Sequence, residues 1–255
     1  MSTGEKLKEG TLGFEVRQLD IHPDGEWLVA VGSSADIGLW QWQTDDNRTI
    51  ATATAEEVGE QSPLIRAVSF NPDGTQIFVG GIGGISNDMK AFDTTSGELL
   101  HTYTGHTGVI YSIDLSYDGT SIVSSSEDDN IIIWRSGQPE PLRSLYGHTD
   151  DVAAVMFSPD ARFLLSGSYD NTARLWDVNS GNELQRFDIN AAVLSVAFDA
   201  QGRTLLTGDR VGDLQHWDIR DLPKLLEWVD ANRYVPLLTC EQKVLYQISN
   251  DVCNS

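Results

Sequence analysis

His148, Ser166 and Asp170 are the residue types of a nucleophile–base–acid relay, in which an imidazole takes a serine proton while a carboxylate orients the ring. The same types recur at His106, Ser124 and Asp128, and each set is followed by a tryptophan, Trp134 or Trp176. Within both quartets the steps are 18, 4 and 6 residues. One active site does not duplicate itself at fixed spacing, whereas a repeated scaffold does. The quartets therefore read as structural: the aspartate accepts from histidine, and the serine and indole N–H extend the chain of bonds, so that buried polar groups are satisfied. No catalytic residue is assigned.

The other residues that could carry chemistry are scattered. Gly80-Gly81-Ile82-Gly83-Gly84 has the glycine content of a phosphate cradle but lacks the Lys-Ser/Thr ending and a following helix. It reads as an inter-strand loop and a candidate for partner contact. His22, His101 and His216 stand at unlike positions, so neither a metal nor a cofactor is expected. Cys240 and Cys253 form no CxxC or Cys/His cluster, which leaves open whether they pair.

What positions the quartets is a repeat. Turn tripeptides recur at Pro23-Asp24-Gly25, Pro72-Asp73-Gly74, Tyr117-Asp118-Gly119, Pro159-Asp160-Ala161 and Ala200-Gln201-Gly202. Each is followed by an aromatic: Trp40, Phe92, Trp134, Trp176 and Trp217. Successive turns lie 49, 45, 42 and 41 residues apart. Inside a period, two-residue alternation broken by turn residues predicts a four-stranded meander. In the fourth repeat the strands are placed at 152–158, 163–167, 172–177 and 183–187. One such sheet exposes too much apolar face to stand alone, and radial stacking buries both faces.

Gly105-His106, Gly147-His148, Trp176-Asp177 and Trp217-Asp218 resemble the GH and WD dipeptides of WD40 repeats. The resemblance covers about residues 13–218 and implies an all-β, WD40-type β-propeller with five recognisable four-stranded blades. The repeats run about 13–55, 62–104, 105–146, 147–188 and 189–218. The family's tetrad falls on His106, Ser124, Asp128 and Trp134, then on His148, Ser166, Asp170 and Trp176. The other repeats depart from it: Thr11-Leu12, Glu60-Gln61 and Asp188-Ile189 replace GH, and Ser34 and Val211 replace the turn aspartate. The family's contact-prone positions map onto Glu127, Tyr169 and Arg210, with Asp150 and Asp151. Propellers of this family usually have seven blades. Five repeats leave three resolutions open: a five-fold ring, two chains completing each other, or one part of a larger propeller.

Residues 1–12 read as a tail, and 219–255 as a helical extension. Asp221-Leu222-Pro223 suggests a capped start, with Leu225, Trp228 and Val229 on one face. Thr239 and Gln242 suggest a second cap before Val244, Leu245 and Ile248. The segment from Trp228 to Tyr246 resembles the end of bacterial WD40 signalling proteins, which implies a sensing or docking module.

Composition bounds the partners. With 38 acidic against 17 basic residues the net charge is −21, which disfavours phosphate backbones and anionic lipid and favours a basic partner. The longest apolar run, Val152 to Phe157, is far short of a bilayer span, and the first ten residues lack a signal-peptide core. A cytoplasmic location is expected. The leading expectation is a non-catalytic protein-interaction scaffold that binds a protein or peptide. The alternative is a propeller hydrolase or oxidoreductase.

Overall fold

The computed structural model describes residues 9–34, 36–51, 64–81 and 87–219. It divides into two units, Met1–Asp218 and Ile219–Ser255. The helical extension, both cysteines and the tail resemblance lie outside the described residues, as does 82–86 of the glycine-rich loop.

The first unit is built of five antiparallel sheets, each formed by strands consecutive in sequence. Blade 1 contains β1 (Val16–Ile21), β2 (Trp27–Gly32), β3 (Asp36–Gln41) and β4 (Asp46–Ala51). Blade 2 contains β5 (Ala67–Phe70), β6 (Gln76–Gly80), β7 (Met89–Asp93) and β8 (Leu99–Tyr103). Blade 3 contains β9 (Ile110–Leu115), β10 (Ser121–Ser126), β11 (Ile131–Arg135) and β12 (Gln138–Leu145). Blade 4 contains β13 (Val152–Phe157), β14 (Phe163–Ser168), β15 (Thr172–Asp177) and β16 (Glu183–Asp188), within one residue of the strands read from alternation. Blade 5 has β17 (Val193–Phe198), β18 (Thr204–Asp209) and β19 (Leu214–Asp218). Among the described residues it is three-stranded, not four, because the chain leaves the described range just after β19.

Register makes the repeat physical. The recurrent aromatic faces the same second-strand position in every blade: Trp40 opposite Leu28, Phe92 opposite Ile77, Trp134 opposite Ile122, Trp176 opposite Leu164 and Trp217 opposite Leu205. The turn between the first two strands takes a left-handed residue in each repeat. Glycine fills it four times, but Ala161 carries φ 55° in blade 4.

The core lies between sheets. Val29, Val31, Ile37 and Leu39 of blade 1 pack with Val68, Phe70, Ile77 and Phe92 of blade 2. Blades 2 and 3 join through Phe78, Met89 and Tyr103 against Ile110, Ile122 and Trp134. Blades 3 and 4 join through Val123, Ile131 and Ile133 against Val155, Leu164 and Trp176. Each such side chain contributes about 1.5–3 kcal/mol through burial, so the joints hold the stack together. The inner strands pack in the order β1, β5, β9, β13, β17, with no comparable packing of β17 on β1 among the described residues. The five blades form an open arc, not a five-fold ring.

Candidate functional site

The two quartets have the same geometry. His106 Nδ1 lies 2.9 Å from Asp128 Oδ2, and its Nε2 lies 2.8 Å from Ser124 Oγ, which also accepts from Trp134 Nε1 at 2.8 Å. In blade 4 the distances are 2.8 Å for His148–Asp170, 2.7 Å for His148–Ser166 and 2.9 Å for Trp176–Ser166. The polarity of the neutral imidazole is set by the carboxylate, which can only accept and so takes the Nδ1–H, leaving Nε2 as the acceptor, while the indole can only donate to the serine oxygen. The serine hydroxyl then donates to the imidazole, and Nδ1–H donates to the carboxylate. Ser124 and Ser166 are fully buried, so neither hydroxyl is placed to attack a bound substrate. Burial alone would raise both aspartates. In Asp170 the hydrogen bonds from His148 and Thr172 outweigh burial, as the bond and charge of His106 do in Asp128, and both carboxyls fall below the usual range.

Blade 4 adds a cation. The buried Arg174 donates to Glu183 at 2.7 Å and to Asp170 at 3.4 Å. Blade 5 keeps a remnant, Trp217 Nε1 donating to Thr207 Oγ1 at 3.1 Å, and in blade 1 the Trp40 indole donates to Asp45 instead. Phe92 has no N–H to give.

One surface open to another molecule is the mouth of the channel inside the arc. At the head of the inner strand the pairing slips by one residue in blades 1, 3, 4 and 5. The extra residues are Arg17, Tyr111, Ala153 and Leu194, and a bulge of this kind re-aims its side chain. Arg66 holds the matching position in blade 2. These five, with Tyr169, line a cavity of about 270 Å³. Below it a channel of about 450 Å³ runs past Asp20, Ser69, Asp114 and Met156.

The mouth is bipolar. The Arg66 guanidinium lies 5.1 Å from the centre of the Tyr111 ring, while the Tyr111 hydroxyl donates to Asp151 at 3.1 Å. Burial first, then the Asp151 bond and the charges of Asp151 and Glu127, push the Tyr111 phenol up to about 12. Carboxylate oxygens of Asp129, Asp150 and Asp151 lie within 4.8 Å of one another. Asp129 is raised by burial and then by the charges of Asp150 and Asp151.

Of the contact positions read from the sequence, Tyr169, Asp151, Asp150 and Glu127 therefore gather around blades 3 and 4. Glu127 accepts from Val109 N at 3.2 Å, and Tyr169 N donates to the Asp151 carbonyl at 2.9 Å. Arg210 is exposed and lines neither the mouth nor the channel. Sequence reasoning missed Arg17, Arg66 and Tyr111. They sit three residues before Asp20, Ser69 and Asp114, a match visible once the repeats are superposed. His22, His101 and His216 lie in blades 1, 2 and 5. No helix among the described residues is long and apolar enough to cross a membrane.

Residues 64–242 match the family model described as the IFT122 first beta-propeller, and residues 5–41 match the WD domain, G-beta repeat. The chain is 31% identical over 124 residues to the chromatin assembly factor 1 subunit FAS2 homolog of Oryza sativa subsp. japonica, covering 47% of this chain and 25% of that protein. It is 28% identical over 209 residues to apoptotic protease-activating factor 1 of Rattus norvegicus, covering 81% of this chain and 12% of that protein. Eukaryotic translation initiation factor 3 subunit I of Danio rerio is 31% identical over 185 residues, covering 71% of this chain and 42% of that protein. The chain thus spans less than half the length of each of these relatives. With the repeated register, the paired tetrads and these matches together, the chain belongs to the WD40 β-propeller family.

Proposed function

We propose that this chain is a non-catalytic interaction module that reads a protein or peptide segment at the channel mouth. The observation that carries the reading is the ring of bulged residues: one fixed backbone irregularity delivers Arg, Tyr, Ala and Leu to one rim, so the scaffold is constant while the surface it presents varies. Tyr111 and Tyr169 supply aromatic contact area, and Asp129, Asp150, Asp151 and Glu127 supply acceptors for a basic side chain. Two relatives are named as subunits of larger assemblies, which accords with such a role. The resemblance of the tail to bacterial WD40 signalling proteins extends the proposal to a sensing or docking module in a system of that kind.

The test is a binding titration with labelled basic, neutral and acidic peptides of equal length at several salt concentrations. Saturable binding of the basic peptide is expected, weakened by salt and by Asp151→Asn or Tyr169→Ala while the melting temperature holds. Stronger binding of the acidic peptide, or none that saturates, would overturn the reading.

A further inference from the structure

A basic partner answers only the acidic side of the channel mouth. Blades 3 and 4 bring Asp129, Asp150 and Asp151 to it, but blades 1 and 2 bring Arg17 and Arg66, which line the same cavity of about 270 Å³. In a chain of net charge −21, two guanidinium groups share one recess. Like charges held in one recess repel, and an anion entering beside them relieves that repulsion.

Arg66 is held in place without being neutralised. Arg174 and Arg186 meet carboxylates at 2.7 Å, and Arg48 and Arg143 donate to backbone carbonyls of the following blade. Arg17 pairs with Glu15 at 3.0 Å, both side chains being more than half exposed. The Arg66 guanidinium makes no ion pair and no hydrogen bond among the described residues. It lies instead over the Tyr111 ring, 5.1 Å from its centre, and the Tyr111 hydroxyl is tied to Asp151 at 3.1 Å. At its base, a Cβ on Gly81 would lie 3.0 Å from Arg66 Cβ and 2.7 Å from the Ile110 carbonyl oxygen, so glycine there leaves the arginine its room. A cation already positioned and unpaired loses little freedom when it meets an anion.

We infer that the partner segment is of mixed charge: an acidic side chain seats its carboxylate on Arg66, with Arg17 alongside, while a basic side chain faces Asp151 and its two acidic neighbours. Resting on the peptide reading above, this adds to it a carboxylate subsite on blades 1 and 2. A single negative charge matches the one guanidinium of the pair that lacks a counter-ion, since Arg17 already has Glu15. The planar carboxylate also suits the fork of N–H groups on a guanidinium. One aromatic ring, that of Tyr111, separates the cationic and anionic ends. The acidic and basic residues of the segment therefore lie within about three positions of each other, at about 3.3–3.6 Å per extended residue.

Short labelled peptides that carry one lysine and, two positions on, aspartate, asparagine or phosphoserine are titrated against the full chain. The aspartate peptide is expected to bind about fivefold or more tightly than the asparagine peptide. Arg66→Gln abolishes that preference without weakening the asparagine peptide, whereas Arg210→Gln, at an exposed site off the mouth, keeps it. Arg66→Glu transfers the preference to a peptide with a second lysine in place of the aspartate. The Arg66 side chain is exposed and touches only the face of a ring, so these variants keep the melting temperature. Phosphoserine, whose second charge has no free counter-ion at the mouth, binds no more tightly than aspartate; tighter binding overturns the carboxylate assignment. Saturable binding of the aspartate and asparagine peptides with equal affinity, or a preference that survives Arg66→Gln, overturns the subsite and leaves the peptide reading standing. Failure of every lysine peptide to saturate overturns both.

Discussion

His148 Nδ1 lies 2.8 Å from Asp170 Oδ2, and the matching pair one blade earlier, His106 and Asp128, is 2.9 Å apart. Each histidine closes a chain of buried bonds whose other members have no water to fall back on. Truncating it leaves a serine and an aspartate short of a partner. His148→Ala and His106→Ala should each lower stability by about 1–3 kcal/mol. The loss should be at least as large in blade 3. There Ile132 holds the position of Arg174, so no guanidinium remains beside the carboxylate. Urea melts of both variants check the order, and an unchanged midpoint in either would refute the buried role.

Acid should act on the arc in two opposite ways. Asp128 and Asp170 are depressed in the folded state, so their contribution is present above 3.8 and is lost as pH falls further. Asp114, lining the channel, goes the other way: burial raises it from 3.8 to about 6 despite the bonds from Phe157 N and Leu115 N. Its protonated form favours the native state, and that contribution disappears as pH rises from 3.8 through about 6. The melting temperature of the wild type relative to Asp114→Asn should therefore fall across this window and be level above it. A difference that stays flat throughout would remove the buried-carboxyl account.

The sequence exposed the parts of this fold that repeat with the same residue types. The 18, 4 and 6 spacing located both tetrads, and the aromatic of each period located the third strand. It concealed what repeats in position but not in type. Arg17, Tyr111, Ala153 and Leu194 share only a bulge, and a bulge constrains the backbone without selecting a side chain. Arg174 looks like a solvated strand residue, because its two carboxylate partners are revealed only by folding. The fate of the fifth blade was equally hidden. Leu206 and Leu214 fit a buried pattern perfectly well, and only the fold shows that both are exposed.

Ser125 is the counter-example to the satisfied tetrads. It lies fully buried on β10, and its hydroxyl meets no hydrogen-bond partner among the described residues. Gly80 and Gly167 stand at the same place in blades 2 and 4. Ser125→Ala removes the unpaired hydroxyl and keeps the methylene, and should stabilise the protein by about 1 kcal/mol. Differential scanning calorimetry reads the sign directly, and a lower melting temperature would mean that the hydroxyl has a partner after all.

Gly167 shows how closely the blades approach. A Cβ there would lie 2.7 Å from Val193 Cγ1 and 3.0 Å from Val196 Cγ1 of the next inner strand. Gly80 meets Ile110 Cγ2 at the same 2.7 Å two joints earlier in the arc. Valine is stiff about χ1, so the strand itself has to yield. Gly167→Ala should cost about 1–3 kcal/mol by overpacking. Val193→Ala alone also destabilises, because it empties a fully buried site, but it removes the nearest atom that the new methyl strikes, leaving the milder approach to Val196 Cγ1. The double variant should then lose less than the sum of the two single losses. Additive losses in urea melts would place the strain of Gly167→Ala within its own strand, and not at the joint between blades 4 and 5.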